Sequence, residues 1–425
     1  MRRALYLAAL LPLSMMAASG SAQLNLPGDV ALPDVGDTLG RAGDALSLPR
    51  IAALPPMRAA QALLEARIDR LSRLVRSNPQ DLEFDDQQYP AVKGSIVAMG
   101  LSEQQIAELR QAGFVPQREE VEGLDIGFLH LRTPEGQSLA RSLRQARKIA
   151  PGAQIGSNPI YFQSGGIMPI AAASALASNR SSGGRAVGLI DGGVGQHPSL
   201  DGPIEQRGFA KGAPAPSGHA TAVASLIAGN GLVQGAAPGA PLLIADIYGR
   251  DPAGGNAIAI ARALGWMAAS GVRIVTISLV GPDNSLLSGA MAAARRKGMI
   301  VVAAVGNDGP AAPPAYPASY DGVIAVTGVD GKNRALIEAG RASHLDYAAP
   351  GADMVAASIN GKAARVRGTS FAAPFVAGRL YRNLQAADIR FAIQKLNAEA
   401  KDLGKRGPDK VYGRGLVCGT CRNER

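Results

Sequence analysis

The sequence predicts an α/β fold, a parallel sheet covered by helices on both faces, preceded by a small ferredoxin-like α+β unit. Three observations predict it. Apolar runs in the second half, such as Val272 to Leu279 and Met299 to Val305, are near-continuous rather than alternating, which suits strands buried on both faces. These runs alternate with segments of helical period, as in Asn256 to Ala269 and Ser285 to Lys297, the pattern of crossovers in a parallel sheet. Between Val92 and Phe162 the period switches in the order β-α-β-β-α-β, that of a ferredoxin-like unit.

The 425 residues, 47% of them hydrophobic, suffice for two or three domains with a substantial core. Met1 to about Ala22 reads as a secretory signal: Arg2 and Arg3, an apolar run from Ala4 to Met16, then small residues up to Ala22. That run is too short to span a bilayer, and no later one is longer, so no transmembrane segment is expected. Gln23 to about Pro55 is rich in Pro, Gly and Asp without a sustained period, which predicts a linker. Pro56 suits a first helical residue, and Leu63, Leu64, Ile68, Leu71 and Val75 then recur on one helical face. Residues 23–91 are therefore assigned to a linker and helical arm, and residues 92–163 to the ferredoxin-like unit.

Within that unit Ser95 to Met99 is strand-like, and Ser102 with Gln105 offers a capping-box start for a helix through Leu109. Phe114 to Val121 and Ile126 to Leu131 read as strands about the Glu122-Gly123 turn. Gly136 to Lys148 follows as a helix and Gln154 to Phe162 as the last strand. A loose Ser, Ala and Gly-rich stretch, Ser164 to Gly184, leads into the second unit. There the expected strands are Ala186 to Ile190, Leu242 to Ile247, Val272 to Leu279, Met299 to Val305 and Val323 to Val329; helices are expected from His219, over the two segments above, and after Ser370. In such sheets working residues collect at the strand carboxyl ends.

Four residues of chemical character fall at such ends. Asp191 closes the strand Ala186 to Ile190 and precedes Gly192-Gly193; His219 opens a helix; Asn307 follows the strand Val301 to Val305; Ser370 opens a small-residue helix in Gly368-Thr369-Ser370-Phe371-Ala372-Ala373-Pro374. A helix N-terminus favours negative charge developing beside a serine. A hydroxyl nucleophile also needs a base to take its proton and donors aimed at the oxyanion. Taken singly, Asp191 and Asn307 are turn residues and Ser370 a helix cap. There are four histidines, and His130, His197 and His344 read as structural. Together the four sit on one α/β unit, with Asp191, His219 and Ser370 in the order Asp, His, Ser.

Leu189-Ile190-Asp191-Gly192-Gly193-Val194 with His197-Pro198, Gly218-His219-Ala220-Thr221, Ala303-Ala304-Val305-Gly306-Asn307 and the Ser370 heptapeptide resemble the four motifs of the subtilases, the subtilisin-like serine proteases. The resemblance covers residues 164–417, whose end, Tyr412-Gly413-Arg414-Gly415-Leu416-Val417, is also similar. The unit at 92–163 resembles the inhibitory propeptide that these proteases carry. The resemblance implies that Ser370 attacks the scissile carbonyl, His219 relays the proton, Asp191 holds the imidazole, and Asn307 donates to the oxyanion beside the Ser370 amide. It implies an extended peptide or protein substrate. Ser278, Leu279, Val280 and Gly281 would pair with its backbone, Ala303, Ala304, Val305 and Gly306 would wall the opposite side of the first pocket, and Gly254 and Gly255 would flank the slot. Small apolar walls suggest an apolar P1 side chain, and Asp308 at the rim a basic one. The chain's own propeptide is a second expected partner, with self-cleavage near Tyr161 to Gly165.

Two positions depart from the family pattern. Gly192 stands where many members have a Ser or Thr whose hydroxyl bonds the carboxylate, and Ala220 stands where many have Gly. Neither change removes a reacting atom. The alternative they prompt is a catalytically impaired subtilase fold acting as a peptide-binding module.

A formal charge of +10 invites a nucleic-acid reading, but only 4% of residues are aromatic and no basic block is interleaved with them, so no nucleic-acid partner is expected. Gly192-Gly193-Val194-Gly195 lacks dinucleotide-binding spacing. No cofactor is needed for the implied chemistry, no metal ligand set is assigned, and structural calcium is left open. Cys418 and Cys421, in the tail 418–425, are expected to pair locally outside the cytosol.

Overall fold

Helix α1 (Pro56–Ser77) begins on a proline, which loses no hydrogen bond at a helix start. The computed structural model describes residues 48, 50–164, 166–167, 186–384 and 388–423. The expected signal segment, most of the 23–55 linker and most of the Ser164 to Gly184 stretch lie outside the described residues. The buried face of α1 is Ala59, Leu63, Leu71 and Leu74, whereas Ile68, expected on that face, is exposed. The face is rotated because Arg67 and Arg70 turn inward to pair with Asp308.

Strands β1 (Leu82–Phe84) and β2 (Pro90–Met99), helix α2 (Glu103–Gln111), strands β3 (Val115–Val121) and β4 (Ile126–Arg132), helix α3 (Leu139–Ile149) and strand β5 (Gln154–Pro159) follow. They form an antiparallel sheet in the order β1-β2-β4-β3, with β5 also on β2. The sheet starts earlier than residue 92, since β1 and the first turn of β2 fall in the stretch assigned to the arm. Ser102 and Gln105 make the expected capping box. Helices α2 and α3 cover one face through Ile106, Leu109, Leu139 and Leu143. The other face, with Val97, Val121 and Phe128, packs into the core of the following unit.

Short strands β6 (Phe162–Gln163) and β7 (Gly166–Ile167) lead out of this unit. The second unit begins with β8 (Val187–Asp191), β9 (Gly193–Val194), β10 (Ile204–Gly208), β11 (Pro216–Ser217) and α4 (Gly218–Ala228). It continues through β12 (Leu242–Asp246), α5 (Ala257–Ala269), β13 (Ile274–Ile277), β14 (Leu279–Val280), α6 (Ser285–Arg296), β15 (Ile300–Ala304) and β16 (Ile324–Val329). It ends with β17 (Tyr347–Pro350), β18 (Met354–Ala357), β19 (Ala363–Arg367), α7 (Ala373–Leu384) and α8 (Ile389–Glu399). The central sheet runs β10-β12-β8-β13-β15-β16-β17, parallel at every pairing.

Residues β8, β12, β13 and β15 are buried throughout, as the continuous apolar runs predict. Alternate residues feed opposite core layers. Val187, Leu189, Ile244 and Val302 face α4 and α7, while Ile190, Leu243, Val275 and Val301 face α5 and α6. Asn256 and Asn284 cap α5 and α6 by accepting from Ala259 (3.0 Å) and Leu287 (3.2 Å). Cys418 and Cys421 form a disulfide. Among the described residues no helix is long and apolar enough to cross a membrane.

Candidate active site

Asp191 ends β8, where the chain emerges from the sheet, and Ser217 caps α4 so that His219 lies in its first turn. This brings His219 Nδ1 to 2.9 Å and 3.1 Å from the two Asp191 carboxylate oxygens. Both residues are buried. His219 Nε2 is buried as well and has no hydrogen-bond partner among the described residues. The imidazole packs beside Phe371, 5.4 Å between ring centroids, which places it next to the turn carrying Ser370.

That turn is a short 3-10 helix, Thr369–Phe371, and α7 begins only at Ala373, so Ser370 sits one tight turn ahead of the expected helix. Gly368 enters it at φ 143°, a conformation side-chain-bearing residues rarely adopt. Pro374 is tolerated because the first amides of α7 have no intrahelical partner. Asn307 Oδ1 accepts from the Thr369 amide at 3.0 Å, and Thr369 Oγ1 accepts from the Gly306 amide at 3.0 Å. These reciprocal bonds lock the Asn307 loop to the Ser370 turn and turn the Asn307 carboxamide nitrogen away from Thr369.

The slot beside Ser370 holds the strand between the two units. Strand β6 pairs antiparallel with β14, Gln163 opposite Leu279 and Phe162 opposite Val280. The Ser164 amide and hydroxyl both donate to the Ser278 carbonyl at 3.1 Å. The Ser164 carbonyl accepts from the Ser370 amide at 3.1 Å and from the Ser370 hydroxyl in a short contact. Beyond it, Gly166 and Ile167 pair with Arg367 and Val366 of β19. The strand is thus gripped on both sides of Ser370.

Three residues before Ser164, the side chain of Tyr161 is fully enclosed. Its amide donates to Gly255 O at 2.8 Å, its hydroxyl to Pro282 O at 2.7 Å, and its carbonyl accepts from the Tyr248 hydroxyl at 2.8 Å. A Cβ on Gly281 would strike the Tyr161 ring, so that glycine makes room for it. Burial pushes the Tyr161 phenol well above its ordinary pKa, keeping it a neutral donor.

Of the expected substrate-slot residues, Gly255, Ser278, Leu279, Val280 and Gly281 meet this strand. Gly254 forms the turn behind, its amide donating to Asp251 O at 2.9 Å. Ala303 and Val305 lie in one core layer and Ala304 in the other, while a Cβ on Gly306 would come within 2.9 Å of Val280. Asp308 does not stand open at a rim, since Arg67 and Arg70 occupy its carboxylate at 3.1 Å and 2.5 Å. His130, His197 and His344 bond to Ser95, Lys362 and Val323, away from Ser370. Tyr248, Thr369 and Gln163 were not singled out in the sequence, where a lone Tyr, Thr or Gln carries no motif.

Asp246 faces Asp191 across the β12/β8 pairing and accepts from the amides of Ala215, Tyr248 and Gly249 at 2.7, 2.9 and 2.9 Å. Burial raises its pKa, and the neighbouring Asp191 charge acts in the same direction. Its place is structural, fixing the loop that presents Tyr248 and Gly255. Among the described residues no group of three or more His, Cys, Asp or Glu is disposed to hold a metal ion.

Residues 182–415 match the Subtilase family. Subtilisin BL of Lederbergia lenta is 32% identical over 262 residues, 59% of this chain and 95% of the relative. Fervidolysin from Fervidobacterium pennivorans, a keratinolytic enzyme related to subtilisin, has a similar fold: TM-score 0.62, 19% identity, 78% of this chain and 61% of that one. The epidermin leader peptide processing serine protease of Staphylococcus aureus aligns with TM-score 0.56 at 16% identity, over 77% of this chain and 97% of that one. A parallel seven-stranded sheet, an Asp-His pair at the carboxyl end of one of its inner strands and a serine turn presented to an extended strand agree with the sequence match over more than half the chain: this protein belongs to the subtilase family of serine proteases.

Proposed function

We propose that this protein is an exported serine endopeptidase made as a zymogen, and that it cleaves its own Ser164–Gly165 bond. The observation that carries the reading is the course of the strand through the slot: the Ser164 carbonyl lies on the Ser370 hydroxyl and accepts the Ser370 amide. Ser370 Oγ attacks the Ser164 carbonyl carbon while its proton passes to His219 Nε2, the imidazole nitrogen without a hydrogen-bond partner among the described residues. Asp191 holds the other nitrogen and stabilises the imidazolium. The oxyanion is received by the Ser370 amide and the Asn307 carboxamide nitrogen. The proton is then handed to the Gly165 amine, which leaves. Water, activated by the same imidazole, releases the acyl group.

The unit at 92–163 acts as the propeptide, removed with Ser164 as its last residue, and residues 1–22 act as the export signal. The enclosed Tyr161 supports a mature enzyme that selects an aromatic side chain four residues before the cut, counting the residue at the cut as the first. The test is the purified full chain: wild type is expected to yield a new amino terminus at Gly165, and Ser370→Ala to stay whole. Trimming of the Ser370→Ala chain at the wild-type rate would refute self-processing. The peptide-binding alternative draws on the Ser370 hydroxyl bonding Ser164 rather than His219. A fluorophosphonate separates the two, labelling Ser370 in a working site and leaving an inert one unmarked.

A further inference from the structure

The residue before Ser164 reaches an unexpected place. Gln163 Nε2 lies 2.8 Å from Asp191 Oδ1 and 3.4 Å from Ser217 Oγ. The same carboxylate oxygen takes the Gly192 amide at 2.7 Å and His219 Nδ1 at 3.1 Å. Gly192 has no hydroxyl to offer Asp191, and cannot readily acquire one, because a Cβ there would fall 2.6 Å from Ser217 Cβ. That missing Cβ would sit 3.7 Å from Gln163 Nε2, so the glutamine amide lies over the bare glycine and donates to Asp191 itself.

We propose that the slot contains a carboxamide-selecting subsite made by Asp191, Gly192 and Ser217, and that a substrate glutamine at this position completes the orientation of the catalytic aspartate. The inference rests on the peptidase reading given above. Its chemistry follows from the donor count. An ionised carboxylate is acceptor-only, a carboxamide nitrogen carries two hydrogens, and here it meets two acceptor oxygens without introducing charge. A glutamate in its place sets a second carboxylate against buried Asp191. A methionine of similar length fills the space and donates nothing. A donor bonded to a buried carboxylate also holds that carboxylate against His219, so the gain belongs to the reaction as well as to binding. The antiparallel pairing of Gln163 with Leu279 fixes the backbone from which the side chain reaches.

The test uses enzyme matured from the full chain and quenched peptides Tyr-Phe-X-Ser-Gly-Gly-Ile with X as Gln, Met or Glu. The Gln peptide is expected to exceed the Met peptide about 10- to 100-fold in kcat/KM, with part of the loss in kcat, and Glu is expected to fall below Met. A parallel measurement on the full chain, Gln163→Met against wild type, is expected to slow self-cleavage by a similar factor. Gln and Met peptides cut within twofold of each other, with Ser370 labelled by a fluorophosphonate, would overturn the subsite alone. No cleavage of any peptide and no label would remove the peptidase reading and the subsite together.

Discussion

At the scale of single residues, Asn307 is held through its carboxamide oxygen, which accepts from the Thr369 amide, and its nitrogen is the donor proposed above for the oxyanion. Asn307→Ala is expected to lower kcat about 10²- to 10³-fold with little change in KM, a magnitude carried over from a subtilisin. Steady-state kinetics on a peptide substrate checks it. Tyr161→Phe removes the one donor that Pro282 O receives from the strand, in an enclosed site, at a cost of about 1–2 kcal/mol. Peptides with Tyr at that position should therefore be preferred to Phe about tenfold in kcat/KM. His197 is one pH-sensitive residue outside the site. Its Nδ1 accepts from the Ser199 amide at 3.1 Å, its Nε2 lies 3.1 Å from the Lys362 carbonyl, and burial lowers its pKa. The neutral ring is the one that fits, so its contribution is full above the ordinary histidine pKa of about 6.5 and is lost as pH falls through the lower folded value. Between pH 7 and 5, wild type should lose more melting temperature than His197→Asn.

At the scale of elements, the turn between β3 and β4 docks on α5 by bare backbone. A Cβ on Gly265 would strike the Glu122 carbonyl and one on Gly123 would strike the Gly265 carbonyl. Gly265→Val is expected to push the first unit off α5 and to reduce the yield of self-processed protein, read on a gel after refolding. Helix α1 makes a second contact, through Arg67 and Arg70 on Asp308 and Leu63 against Gly309, beside Asn307. Replacing both arginines by Ala leaves a largely buried carboxylate alone and should destabilise the precursor by about 2 kcal/mol, measured by denaturant unfolding. Five strands of the central sheet, β8, β12, β13, β15 and β16, and the helices α2 to α6 were legible in the sequence, because runs such as Val301 to Val305 and the Ser102/Gln105 cap encode their elements locally, whereas β10 and β17 were not predicted. The Asp, His and Ser motifs were legible for the same reason. The roles of Tyr248, Gln163 and Arg67 were not, because each depends on a partner more than 25 positions away. Ile68 was misplaced because a pair of half-buried arginines bound to Asp308 outcompetes one apolar side chain for the inner face.

For the molecule as a whole, Val97, Val121 and Phe128 of the first unit belong to the same core layer as Ile190 and Val275 of the second. A covering that binds only the folded state adds to its stability by mass action, so the uncut Ser370→Ala precursor is expected to melt above the enzyme freed of residues 1–164. Calorimetry on the two proteins checks the order. On the self-processing reading, cutting after Ser164 would break a single bond and none of the contacts that enclose Tyr161, so the newborn enzyme would still be plugged by its own product. Release of the first few plugs would let those molecules shred the plugs of their neighbours. Activity should then rise along an S-shaped curve whose delay shortens as protein concentration increases, a clock kept by the population and not by any one molecule.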